Sequence, residues 1–162
     1  MQFTRLAAVL LLFSASHIVS SCSSPAANGN ANSVAKAVNA TPAGPNDNID
    51  EFTLLVRLPV EPEEVAWREF PEQKKLIAVV RFSPENAPKM AAEIGKNGQP
   101  ANETISVETW FPAELIAQSD VTGESIVKGQ SFPAEPFLNP PYTKGKITRV
   151  ENTDYFIIQI SS

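Results

Sequence analysis

The side chains that most often do chemistry are nearly missing from this 162-residue chain, which has one histidine, His17, and one cysteine, Cys22. An internal disulfide is thereby excluded, as are a Cys/His zinc site and any Ser-His or Cys-His nucleophile pair beyond residue 22. Acid–base work would fall to carboxylates, lysine or tyrosine. The candidates are Glu61, Glu63, Glu64, Glu69, Glu108, Glu114, Asp120 and Glu124. Two carboxylates held roughly 5 to 9.5 Å apart can cleave a glycosidic bond, but no spacing in the sequence imposes such a pair. Most of these residues fall in turns or at helix starts, where a negative charge complements the helix dipole. The run Asn46 to Glu51 resembles the opening of a calcium loop, yet it lacks the glycine at the sixth position and the closing glutamate. It reads as a solvated linker end, and neither a metal nor a cofactor is implied.

Binding chemistry has a better candidate. If Thr104–Trp110 is a strand, Glu108 and Trp110 lie on the face opposite Ile105 and Val107. In two other apolar strands, the same parity sets Arg57 opposite Leu58 and Arg81 opposite Phe82. Arg57, Arg81, Glu108 and Trp110 could therefore share a polar sheet face, an anion or sugar site with an aromatic platform. Ion pairing across a solvated face would use the same residues.

Those side chains need a scaffold. Phe52–Leu58 alternates as a strand and ends at Pro59 and Pro62, while Val65–Phe70 and Lys75–Phe82 flank a Pro71–Lys74 turn. Ala87, Met90, Ala91 and Ile94 follow at i, i+3, i+4 and i+7, the apolar stripe of an amphipathic helix that begins near Asn86 and stops at Gly95 and Gly98. Pro112–Gln118 fits a short helix with proline in its first turn. Lys146–Val150 and Tyr155–Ile160 form a terminal hairpin. Between them, Ser119–Gly145 has no clear period and four prolines, so it reads as a long aromatic loop or flap, with a strand possible at Ile126–Lys128. The expected fold is α+β: a mainly antiparallel sheet of five to six strands with one principal amphipathic helix packed on one face.

The amino terminus carries an address. Arg5 precedes the apolar stretch Leu6–Val19, whose 14 residues would reach roughly 21 Å as a helix, short of a bilayer core of about 30 Å. A signal peptide fits better than a membrane span. Val19-Ser20-Ser21-Cys22 resembles the lipobox of bacterial lipoproteins, over the first 22 residues only. The resemblance implies cleavage before Cys22, acylation of its sulfur, and a mature chain that begins at that cysteine. Serine at position 23, where aspartate would favour inner-membrane retention, leans towards the outer membrane. Of the 28 residues from Ser23 to Asp50, 21 are Ala, Asn, Ser, Pro or Gly. Such a segment buries too little apolar surface to order itself and reads as a flexible tether spanning about 30 Å. Residues 51–162 are left as one globular domain, long enough for its own core.

The formal charge of −5 and a pI near 4.9 argue against nucleic acid as a partner. The expected partners are a membrane, through the acyl chains, and an envelope protein or cell-wall component. A non-enzymatic, lipid-anchored binding module in the cell envelope is the favoured reading; a small carboxylate-dependent envelope hydrolase is the alternative. The anchor is testable directly: mass spectrometry of the membrane fraction should find a mature chain starting at an acylated Cys22, and Cys22→Ala should release the protein or leave it unprocessed.

Overall fold

In the computed structural model, residues 44–162 are described. The expected signal peptide, Cys22 and the expected tether as far as residue 43 lie outside them. Six strands build one wholly antiparallel sheet: β1 (Glu64–Phe70), β2 (Lys75–Arg81), β3 (Ala101–Ser106), β4 (Ile126–Pro133), β5 (Lys144–Val150) and β6 (Tyr155–Ser161). Their spatial order is β1-β2-β6-β5-β4-β3. The chain thus makes one hairpin at the β1 edge, crosses to the far edge for β3, and returns strand by strand to the centre. Among the described residues three α-helices accompany the sheet: α1 (Ile49–Leu55), α2 (Asn86–Gly95) and α3 (Ala113–Thr122). The α+β expectation holds at this level.

Both faces of the sheet are apolar at its centre. Leu76, Ala78, Val80, Phe156, Ile158 and Ile160 point to one face, where they pack with Phe52 and Val56 of the α1 segment and with Ala87, Met90 and Ile94 of α2. Ile77, Val79, Tyr155 and Ile157 point to the other, under Trp110, Phe111 and Leu115 at the start of α3. A sheet buried on both sides needs cover on both sides. The helices are accordingly split, α1 and α2 on the first face and α3 on the second, so the sheet is covered on both faces where one principal helix on one face was expected.

Helix α2 lies where its stripe places it, with Ala87, Met90 and Ile94 fully buried and Ala91 half-buried. The terminal hairpin and the β1–β2 hairpin also match the alternation. Phe52–Leu58 does not: it is helical to Leu55, followed by a single bridge from Val56 to Leu138. The Asn48 side chain accepts from the Glu51 amide and starts the helix, and the Asn46 side chain accepts from the Asn48 amide and donates to Glu51. The supposed calcium-loop residues are therefore a helix cap. Phe52 and Val56, four apart, share the inward side; a period of two and a period of four coincide over so short a run. Asn46 also exchanges both backbone hydrogen bonds with Trp67. Residues 44–50, assigned by composition to the tether, thus belong to the folded body.

The segment Ser119–Gly145 likewise resolves into the end of α3, strand β4 and a 3-10 turn at Glu135–Phe137. Gly123, left-handed at φ 71°, ends α3. Gly129 lies in β4 where a Cβ would collide with the Arg149 carbonyl and the Thr148 methyl, so only glycine lets β4 approach β5 there. Low hydrophobicity around this glycine hides the strand from periodicity.

Replacing Ile94 by Asp should cost about 4 kcal/mol, because it puts an unpaired charge in the core. Lys96→Asp, on the exposed side and losing only a surface pair with Glu93, should cost less than about 1 kcal/mol. Chemical denaturation of the two variants checks the difference.

Candidate functional site

The four residues expected to share a polar face do not converge. Arg57 is exposed in the segment after α1, where its amide donates to the Phe137 carbonyl, on the layer that covers the first face. Arg81 ends β2 on the second face and is held by Glu64 at 2.5 Å and Glu63 at 3.4 Å. Glu108 and Trp110 are not in a strand at all, since β3 stops at Ser106. The chain turns there, with the Phe111 amide donating to the Glu108 carbonyl, and folds the indole back over the sheet.

Trp110 is consequently no open platform. It is 9 % exposed, its Nε1 donates to Glu108 at 2.6 Å, its edge meets Phe111 and its face meets the Arg68 guanidinium at 5.4 Å. Arg68 occupies the stacking position that a ligand would need. The expected guanidinium–indole–carboxylate arrangement thus exists, but Arg68 supplies the guanidinium and the cluster is closed on itself.

A second group gathers at the end of the same face. Glu63 and Glu64 flank Arg81, and Tyr155 lies cross-strand from Arg81 and close to Glu114. The Glu64 hydrogen bond raises the Arg81 pKa further, and burial, with Glu114 next, pushes Tyr155 up to about 12. The two carboxylates that converge are therefore both paired with one half-exposed arginine at the end of the strand. Among the described residues no group of His, Cys, Asp or Glu has the placement of a metal site.

The accessible polar surface lies elsewhere, on the outer strands. Asn102, Gln130 and Arg149 are cross-strand neighbours on β3, β4 and β5. Gln130 and Arg149 line a cleft of about 450 Å³ closed at one end by the β5–β6 turn, Glu151 to Asp154. Arg149 is half-buried, and no carboxylate or carbonyl among the described residues bonds its guanidinium. Beside the cleft runs the free edge of β3. The Val107 amide donates to Ser125 on the β4 side, so by strand alternation Asn102, Thr104 and Ser106 turn their amides and carbonyls outward. Nothing among the described residues pairs with them. At the opposite edge, a groove of about 420 Å³ is lined by Gly44, Asn46 and Trp67–Pro71, but there Asn46 already takes both outward groups of Trp67.

Sequence reading missed Gln130 and Arg149. A signal was present for the arginine: it shares parity with Ile147 in the terminal hairpin, so a charge lies on the core side of a strand. Gln130 could not be found while β4 was unresolved. No helix among the described residues is long and apolar enough to cross a membrane.

Tyr155 and Tyr142 give these surroundings a pH signature. Burial raises both phenols, and Tyr142 also donates to Glu69 at 2.7 Å. A raised folded pKa favours the protonated form, so the stability involved is complete below the ordinary value of 10.0 and is lost as pH climbs through about 12. Melting temperature should therefore fall steeply above pH 10 or so, and Tyr155→Phe should flatten that fall while changing little at neutral pH.

Compared with known protein families, curated proteins and solved structures, the chain shows no match, so fold and site rest on its own residues.

Proposed function

We propose that this protein is a lipid-anchored, non-enzymatic binding module of the cell envelope that takes an extended segment of a partner along the outer edge of β3. The observation that carries the reading is the unpaired edge itself: Asn102, Thr104 and Ser106 offer an alternating row of backbone donors and acceptors. Natural sheets usually blunt such edges with proline, lysine or a bulge. None of these occurs within Ala101–Ser106, and the one charge there, Glu103, turns inward to Lys146 at 2.6 Å. An added strand would gain main-chain hydrogen bonds from the edge and side-chain selectivity from the row of Asn102, Gln130 and Arg149. Amides and a free guanidinium favour polar or acidic side chains on the partner.

The anchor and tether supply the location. Val19–Cys22 carries the lipobox resemblance, and several acyl chains at about 0.8 kcal/mol per buried CH₂ would hold the chain on a membrane. Residues 23–43 then give the domain reach into the surrounding compartment.

Thr104→Pro is the discriminating variant, because it removes an outward N–H while leaving the β4 ladder intact. With a photo-crosslinking residue at position 102, the native chain should give a reproducible adduct with an envelope component. Thr104→Pro should abolish that adduct with the melting temperature shifted by no more than a few degrees. An adduct that survives Thr104→Pro, or that forms equally from position 89 on α2, would refute edge recognition.

A further inference from the structure

The acidic total hides a basic surface. On the second face of the sheet, Lys75, Ser161 and Lys144 are cross-strand neighbours on β2, β6 and β5. The next row on that face is Arg68, Ile77, Gln159 and Lys146. Cover from Trp110 and α3 lies over the apolar rows further along, so this end stays open as a shallow hollow of about 230 Å³ lined by Lys75, Lys146, Gln159, Ile160 and Ser161.

Four cations therefore occupy two adjacent rows, with a single carboxylate paired among them, Glu103 on Lys146. Among the described residues, Lys75 and Lys144 have no ion pair or side-chain hydrogen bond, and Arg68 Nε is buried without a hydrogen-bond partner. Gln159 contributes an open acceptor, since its Oε1 is buried and unbonded. Lys75, which lines the hollow, and Lys144, which lies beside it, flank one intervening strand, roughly 10 Å apart at the backbone, within the span that two flexible lysine stems can close on one anion. A monovalent carboxylate would satisfy one of them. A phosphate group, with up to two charges and three acceptor oxygens, matches several lysines acting as point charges, and its P–OH or a neighbouring ester hydroxyl can donate to Gln159.

We infer that the hollow lined by Lys75, Lys146 and Gln159, with Lys144 on the neighbouring strand position beside Ser161, is a binding site for a phosphate group, carried either by an anionic lipid headgroup or by a soluble phosphate ester. The site is distinct from the β3 edge, on a different face and with different residues, so each stands or falls separately. It also bears on the charge argument: an overall negative chain meets polyanions poorly through most of its surface, but this face presents the opposite sign.

The test uses the full chain with Cys22→Ala, so that acyl chains cannot mask the face. Inorganic pyrophosphate, titrated by calorimetry, should bind saturably in the micromolar to millimolar range and weaken as salt rises. Lys75→Glu with Lys144→Glu should reduce that affinity more than tenfold and leave the ligand-free melting temperature nearly unchanged. Lys89→Glu, on exposed α2, makes a single charge reversal away from the face and should have no effect. Sedimentation with phosphatidylcholine vesicles, with and without phosphatidylglycerol, distinguishes the sources. Recruitment by phosphatidylglycerol that is lost in the double variant assigns the phosphate to lipid, and pyrophosphate binding without such recruitment assigns it to a soluble ester. Absence of both, or a double variant that binds like its parent, or an equal loss in Lys89→Glu, overturns the site.

Discussion

Everything in this fold follows from the burial of β2 and β6 on both faces. From Leu76 to Val80 and from Tyr155 to Ile158 every residue is at most 6 % exposed, so alternation does not separate an inside from an outside there. Antiparallel sheets commonly leave one face to water; this one cannot at its centre. The connection after β2 must therefore cross one face as α2, and the connection after β3 must cover the other with Trp110, Phe111 and α3. Layer order and chain path are two consequences of the same pair of apolar strands.

That constraint also decides where function can be. Apart from the buried Thr148–Ser131 pair, whose hydroxyls bond each other, polar side chains are kept out of the middle rows and collect on the outer strands or towards strand ends. Arg81 is met at a strand end by Glu63 and Glu64, and Lys146 by Glu103. Arg68 lies over an indole instead of beside a carboxylate. Among the described residues, Arg149, Lys75 and Lys144 are left without an ion-pair partner. Surface ion pairs contribute little to stability, so leaving these cations unpaired costs the fold little and leaves them available for a ligand. The unpaired side of β3 follows from the same path: once the chain has crossed to that edge, every later strand is added on the inner side of β3 and α3 is used to cover the second face.

The interior was legible where pattern and burial have one meaning. Ala87, Met90 and Ile94 could be placed because apolar residues at i, i+3, i+4 and i+7 follow the 3.6-residue period of a helix, and both hairpins because their turns are short and polar. At Phe52 to Val56 the pattern is compatible with strand and helix alike, and the choice was made by the Asn46–Asn48 cap and by a core that accepts Phe52 against Trp67, ring centres 6.3 Å apart. Strand β4 was obscured because its centre is Lys128-Gly129-Gln130, three residues with little strand propensity. Its place is fixed by neighbours, through the close approach of Gly129 to β5.

The sequence by itself determined the absence of histidine and cysteine after residue 22, the lipobox resemblance, the α+β class and the amphipathic α2, because each is a property of residue types or of local spacing. Tertiary structure alone decided which charges meet. Trp110 and Glu108 left the sheet because β3 ends at Ser106 and the apolar second face needed a cover, which an indole provides better than solvent. Arg149, Gln130 and the Lys75–Lys144 pair became neighbours through register across strands far apart in the chain. Strand order and register are set by long-range packing, and no local pattern encodes which distant residue will lie roughly 5 Å across the ladder.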